Sequence, residues 1–77
     1  MGIHLKRFLQ DYQGKEVWFL IPPGLVNGVL GYRSGDSDEK INLTPASYIT
    51  GSRVMQLMSV SFTESEVYSW GPGILVS

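Results

Sequence analysis

Few side chains in this sequence could catalyse a reaction. His4 is the single histidine and cysteine is absent, so a Cys-His pair is excluded and a Ser-His-Asp triad would depend on a residue near a frayed terminus. A solvated or helix-packing histidine is the ordinary interpretation of that position. The sequence therefore predicts no catalytic residue, and we expect that the protein is not an enzyme.

Two segments have the residue types of ligand sites without their spacing. Asp36, Asp38 and Glu39 form an acidic loop, but no glutamate follows at the position that a calcium loop requires. Residues 71–73 read Gly-Pro-Gly, and neither a lysine nor a helix follows them as a phosphate-binding loop needs. We therefore expect solvated turns, with no metal and no cofactor.

Size and charge limit the partners that the chain can have. Its 77 residues form one domain, 1–77, with 43% hydrophobic residues and a net charge of −1. A core this small is often reinforced by oligomerisation. No overall field attracts nucleic acid or anionic membrane, so any nucleic-acid binding must come from a local site. The apolar runs are too short to span a bilayer, and we expect a soluble protein of the cytoplasm.

The N-terminal segment has the spacing of an amphipathic helix. Leu5, Phe8, Leu9 and Tyr12 follow the i, i+3, i+4, i+7 pattern, which predicts a helix over about residues 3–12. Gly14 suits the left-handed position that ends a helix. The helix is therefore expected to place one apolar face against whatever follows.

From about residue 15 the chain changes to short β-rich runs divided by glycine and proline. The segment from Ile41 contains Pro45, which could also begin a helix, but the next breaker follows so soon that we favour a strand. The predicted strands cover 16–21, 25–32, the segment from 41, 54–62 and 67–70, with a further short strand at 73–76. Gly28 and Gly31 lie inside the second of these strands, where glycine usually marks a bulge or tight curvature. The fold class is mainly β: an N-terminal helix followed by a strongly bent five-stranded antiparallel sheet over about residues 15–77.

Three short motifs, taken in order, resemble those of the Sm-like family. Gly28 and Leu30 match the Gly-x-Leu of its second strand, and the segment 38–43, with Asp38 and Asn42, resembles the first Sm motif. The segment 69–74, Ser-Trp-Gly-Pro-Gly-Ile, resembles the second motif, Ile-Arg-Gly-x-x-Ile. The resemblance implies an Sm-like small barrel, in which 67–70 and 73–76 would be the fourth and fifth strands and 54–62 would match the variable fourth loop.

Sm-like proteins form rings of six or seven copies that bind single-stranded RNA, usually uridine-rich, around the pore. The resemblance implies a homo-oligomeric ring, in which the fourth strand of one copy pairs with the fifth strand of the next. It also implies RNA-binding roles for five residues: Asp38, Lys40, Asn42, Trp70 and Gly71. Lys40 stands where the family often has a base-stacking residue, and Trp70 replaces the usual arginine, so stacking is expected to move to Trp70.

Each site residue also has a purely structural interpretation. Trp70 could anchor the barrel or an interface, Lys40 could be a solvated loop lysine, and Asn42 could satisfy the loop backbone. The apolar residues of 54–62 could belong to the core or could bind a protein partner. The alternative to an RNA-binding ring is therefore a small β-barrel subunit of a protein assembly that binds no RNA.

Overall fold

The computed structural model describes residues 3–32 and 40–75. The predicted helix is present as α1 (Ile3–Asp11). Leu5 and Leu9 on its apolar face are completely buried, and Gly14 has a φ of 76° just beyond the helix end. The helix therefore closes over the core, as its apolar spacing predicts.

Six strands follow the helix and form one antiparallel sheet. They are β1 (Glu16–Ile21), β2 (Gly24–Tyr32), β3 (Ile41–Thr50), β4 (Arg53–Leu57), β5 (Val60–Phe62) and β6 (Ser69–Pro72). The strand order is β4-β3-β2-β1-β6, and β5 pairs with the first part of β3. Pro45 lies inside β3, so the strand prediction for this segment is confirmed.

The sheet curls until strands that are not neighbours meet. Phe19 on β1 and Phe62 on β5 have ring centroids 5.2 Å apart, although β2 and β3 lie between these strands. Three strand spacings would separate β1 from β5 by about 14 Å in a flat sheet. The register shift between Gly28 and Leu30 in β2 lies at the predicted glycine-rich bend. The inner face of this curled sheet and α1 enclose the core.

Two strand assignments differ from the prediction. The segment 54–62, matched to a loop under the resemblance, forms β4 and β5, which both pair with β3 and together act as the fourth strand. The segments 67–70 and 73–76 are not the fourth and fifth strands. A single strand, β6, covers Ser69–Pro72 and pairs with β1. Gly73, with a φ of 78°, turns the chain out of β6, and residue 76 lies outside the described part.

Among the described residues, α1 is the only α-helix, and it is too short to cross a membrane. The same residues contain no cluster of three or more histidine, cysteine or acidic side chains suited to a metal ion.

Candidate nucleic-acid interface

The first part of β3 carries two of the five predicted site residues. Lys40 is exposed immediately before the strand, and Asn42 is half-buried one residue inside it. Asn42 lies opposite Gly31 on β2 and Ser61 on β5, and the Ser61 hydroxyl donates a hydrogen bond to its Oδ1. This bond uses the acceptor of the amide, so the Asn42 NH₂ group remains as a donor toward a ligand.

The other predicted residues lie elsewhere or outside the described part. Asp38 belongs to segment 33–39, which lies outside the described residues. Trp70 and Gly71 lie on β6, opposite Phe19 and Trp18 of β1. Lys40 and Asn42 therefore lie together at the start of β3, whereas Trp70 and Gly71 lie on β6, which pairs with β1.

The surroundings of Trp70 and Gly71 fit a structural role. Trp70 is half-buried and packs against the core. Gly71 is buried beneath Trp18, and a Cβ at this position would lie 2.6 Å from the Trp18 ring. The absence of a side chain at Gly71 therefore permits close approach by an indole of the same chain. Contact of Trp70 with RNA stays a prediction.

A polar turn that the sequence prediction left out of the site follows β5, the strand that pairs with the start of β3 through Asn42 and Ser61. Glu64–Glu66 form a 3-10 turn, and the Thr63 hydroxyl lies 2.9 Å from the Ser65 hydroxyl and donates to Glu66 at 3.3 Å. One carboxylate oxygen of Glu64 is buried with no hydrogen-bond partner among the described residues. The signal was visible in the sequence as a polar interruption between two apolar runs.

Two strand edges of the sheet are free. One edge of the sheet is formed by β4 and β5, and the opposite edge is formed by β6. Each of these strands has one neighbouring strand in the described part of the chain. The six large apolar side chains that are exposed among the described residues all lie on these strands or within three residues of them: Val54, Met55, Met58, Tyr68, Ile74 and Leu75. Unpaired backbone groups and exposed apolar surface therefore occur together at both edges.

Two solved structures are similar to this chain over most of its length. A heptameric archaeal Sm protein, studied for its implications for the eukaryotic snRNP core, has a TM-score of 0.69 and 25% identity, with 88% of this chain and 98% of that chain covered. The SmAP1 heptamer of P. aerophilum has a TM-score of 0.71 and 24% identity, with 96% and 99% covered. This chain is Sm-like. No protein-family model and no curated protein sequence matches it.

The Sm-like assignment confirms the family resemblance and the fold class predicted from the sequence. It also accommodates the corrected strands, since β4 and β5 count as one bent strand and the Sm-like fold then has five. In this arrangement the turn at 63–66, rather than Trp70 and Gly71, connects the fourth strand to the fifth.

Proposed function

We propose that this Sm-like protein assembles into a closed ring of identical copies that binds single-stranded RNA. The observation that carries the proposal is the pair of free edges, each flanked by exposed apolar side chains. Pairing the β4–β5 edge of one copy with the β6 edge of the next would give hydrogen-bond partners to the backbone groups of both edges and cover their apolar side chains. Such a contact joins two different surfaces, so it forms a ring when its rotation closes. The two similar structures are heptamers, which supports a ring of that kind.

The RNA site in this proposal is the surface at the start of β3, repeated once in every copy. Lys40 would attract phosphate, and the Asn42 NH₂ group would donate to a base edge. Repetition around a ring supplies avidity that one weak site lacks. The carboxylates of Glu64 and Glu66 in the adjacent turn would repel phosphate, so we expect base contacts to contribute more than charge. No catalytic step is part of this function.

A specific observation favours a second candidate function, an assembly subunit that binds no RNA. The turn at 63–66 adds two carboxylates where the ring would present its ligand surface, and the chain has a net charge of −1. A protein partner could then bind apolar residues of 54–62 that the next copy in the ring leaves uncovered. The two candidates share the ring and differ in the ligand.

The decisive experiment measures assembly and RNA binding separately. Light scattering gives the mass of the particle, and labelled oligo-U and a mixed single strand are titrated at two salt concentrations. Asn42→Ala should weaken binding, whereas Gln10→Ala, which removes an exposed amide on α1, is the matched control. Replacing Glu64 and Glu66 together by glutamine should strengthen binding because repulsion of phosphate is removed.

The outcomes separate the two candidates. A ring with no binding at micromolar protein, for wild type and for the glutamine variant, would reject RNA and leave the assembly subunit. A stable monomer would reject the ring itself. Equal effects of Asn42→Ala and Gln10→Ala on RNA affinity would place the RNA elsewhere on the particle.

A further inference from the structure

A row of side chains crosses the outer face of the sheet, the face opposite the core. Trp18, Asn27, Ser47 and Gln56 lie opposite one another on β1, β2, β3 and β4, and such cross-strand partners project from the same face. Asn27, at 4% exposed, is the one buried polar residue among those described. The Ser47 hydroxyl donates to Gln56 Oε1 at 3.0 Å. Polar groups therefore extend in a line over three strands.

This polar line forms the floor of a groove of about 340 Å³, which we call the outer groove. Val29 lies on one side of the floor, and Ile49 and Val54 lie on the other. Ile74 and Leu75 from the segment after β6 also line it, and the remaining lining residues are Glu16, Gly28, Pro45 and Ala46. A groove with apolar walls and a few placed polar groups is the usual form of a binding site.

The segment 73–75, which we call the tail, already occupies one end of the outer groove. The Gly73 N–H donates to the Glu16 carbonyl at 2.9 Å, and the Leu75 N–H donates to Asn27 Oδ1 at 2.8 Å. Ile74 and Leu75 nevertheless stay 56% and 41% exposed. The tail therefore covers the floor at β2 only, and its side chains fill little of the groove.

We propose that the outer groove binds an extended apolar segment of a partner protein, with the tail as an internal competitor for the same path. The tail itself shows the chemistry that the groove accepts: aliphatic side chains along the walls and a main-chain N–H given to Asn27. The floor continues from Asn27 to Gln56 over two strand spacings, about 10 Å, which about three residues of extended chain would span. The partner's main chain would run over the polar line, and its side chains would cover Ile49 and Val54.

This site is separate from the proposed RNA surface. The outer groove uses the second half of β3 and β4, whereas Lys40 and Asn42 lie at the start of β3. Partner binding would therefore add a protein to the particle without occupying the RNA surface. Because β4 is also an assembling edge of the proposed ring, the partner would bind the outer face of β4 and leave its free backbone edge to the next copy.

The test uses the full chain and a synthetic peptide with the sequence of residues 71–77 as the probe. Leu75→Pro removes the N–H that the tail gives to Asn27 and frees the groove, whereas Leu75→Ala keeps that N–H and is the matched control. Because a tethered competitor acts at high effective concentration, the peptide should bind Leu75→Pro at least about tenfold more tightly than wild type. NMR titration should place the shifts at Asn27, Ser47 and Gln56.

A second protein variant and a second peptide complete the test. Gln56→Ala, which removes the exposed acceptor of the Ser47 hydroxyl, should weaken peptide binding to the Leu75→Pro protein, and thermal unfolding checks that this variant stays folded. A peptide with proline in place of its leucine should bind poorly. Equal affinities for wild type and Leu75→Pro, or shifts confined to other strands, would overturn the proposal. So would dissociation of a ring as peptide binds, because the groove would then be a subunit contact. Peptide binding to a protein that is monomeric would support the groove while rejecting the ring.

Discussion

Replacing Met55 and Met58 together by serine should weaken ring assembly far more than it weakens the fold. These side chains, on and just after β4, are 51% and 90% exposed. Full burial of one methionine contributes about 1.5–3 kcal/mol, so covering both by the next copy would contribute about 3 kcal/mol per subunit contact. Losing it corresponds to about a 150-fold weaker contact.

The assay is particle mass by light scattering over a dilution series. Wild type should remain a ring to a protein concentration far below that at which the serine variant dissociates. The matched control replaces Met55 and Met58 by leucine, which keeps apolar area and should keep assembly near wild type. Thermal unfolding of each variant, measured under dissociating conditions, reports how much of the change belongs to the single chain.

Two results would refute this reasoning. If the serine variant and wild type dissociate at the same concentration, the exposed methionines do not face a neighbouring copy. The second result concerns the single chain. If the serine substitutions lower its unfolding free energy by as much as they weaken the free energy of assembly, the methionines stabilise the fold and the edge argument fails.

Three further substitutions test the fold and the remaining site residue. Gly28→Ala places a Cβ 2.5 Å from the Pro45 carbonyl oxygen and should lower the free energy of unfolding by about 1–3 kcal/mol. Gly31→Ala, whose Cβ would have its nearest neighbouring atom at 3.8 Å, should be nearly neutral. Equal losses of stability in thermal unfolding would contradict this. Leu9→Ala empties a fully buried position and should cost about 2–5 kcal/mol in denaturant unfolding; a loss under about 1 kcal/mol would mean that α1 does not close the core. Trp70→Ala should lower stability and Trp70→Phe should largely restore it, since the indole packs on the core; unchanged stability with lost RNA binding would instead make it a base platform.

The sequence predicted the parts of the fold that depend on local pattern. The spacing of Leu5 and Leu9 predicted the helix face that is buried, and the glycines of β2 predicted the bend near Gly28. Pro45 was correctly assigned to a strand because the next breaker was too close for a helix. These signals depend on residues that are close in sequence, so they can be recognised without knowing which distant strands pair.

The errors arose where register between distant strands decides the answer. Matching Trp70 and Gly71 to the loop motif of the family placed the last strands several residues too late. Pairing of Trp70 with Phe19 fixes β6 instead, and this depends on side-chain packing that no spacing rule reports. The turn at 63–66 consequently connects the fourth strand to the fifth, a connection that the motif match had placed at residues 71–72.

The β6 edge, one of the two edges in the proposed subunit contact, forms only when the chain has folded completely. Its only partner strand in the described chain is β1, through pairs such as Val17 with Pro72, so this edge exists only after residues from distant parts of the sequence have met. Pairings of such long sequence separation form slowly, and an edge strand with one neighbour opens easily. In the proposed ring, a half-folded copy would therefore lack the surface that a neighbour needs, and the β6 edge of an assembled copy would be held closed by mass action. Such assembly would select against misfolded copies without any separate checkpoint.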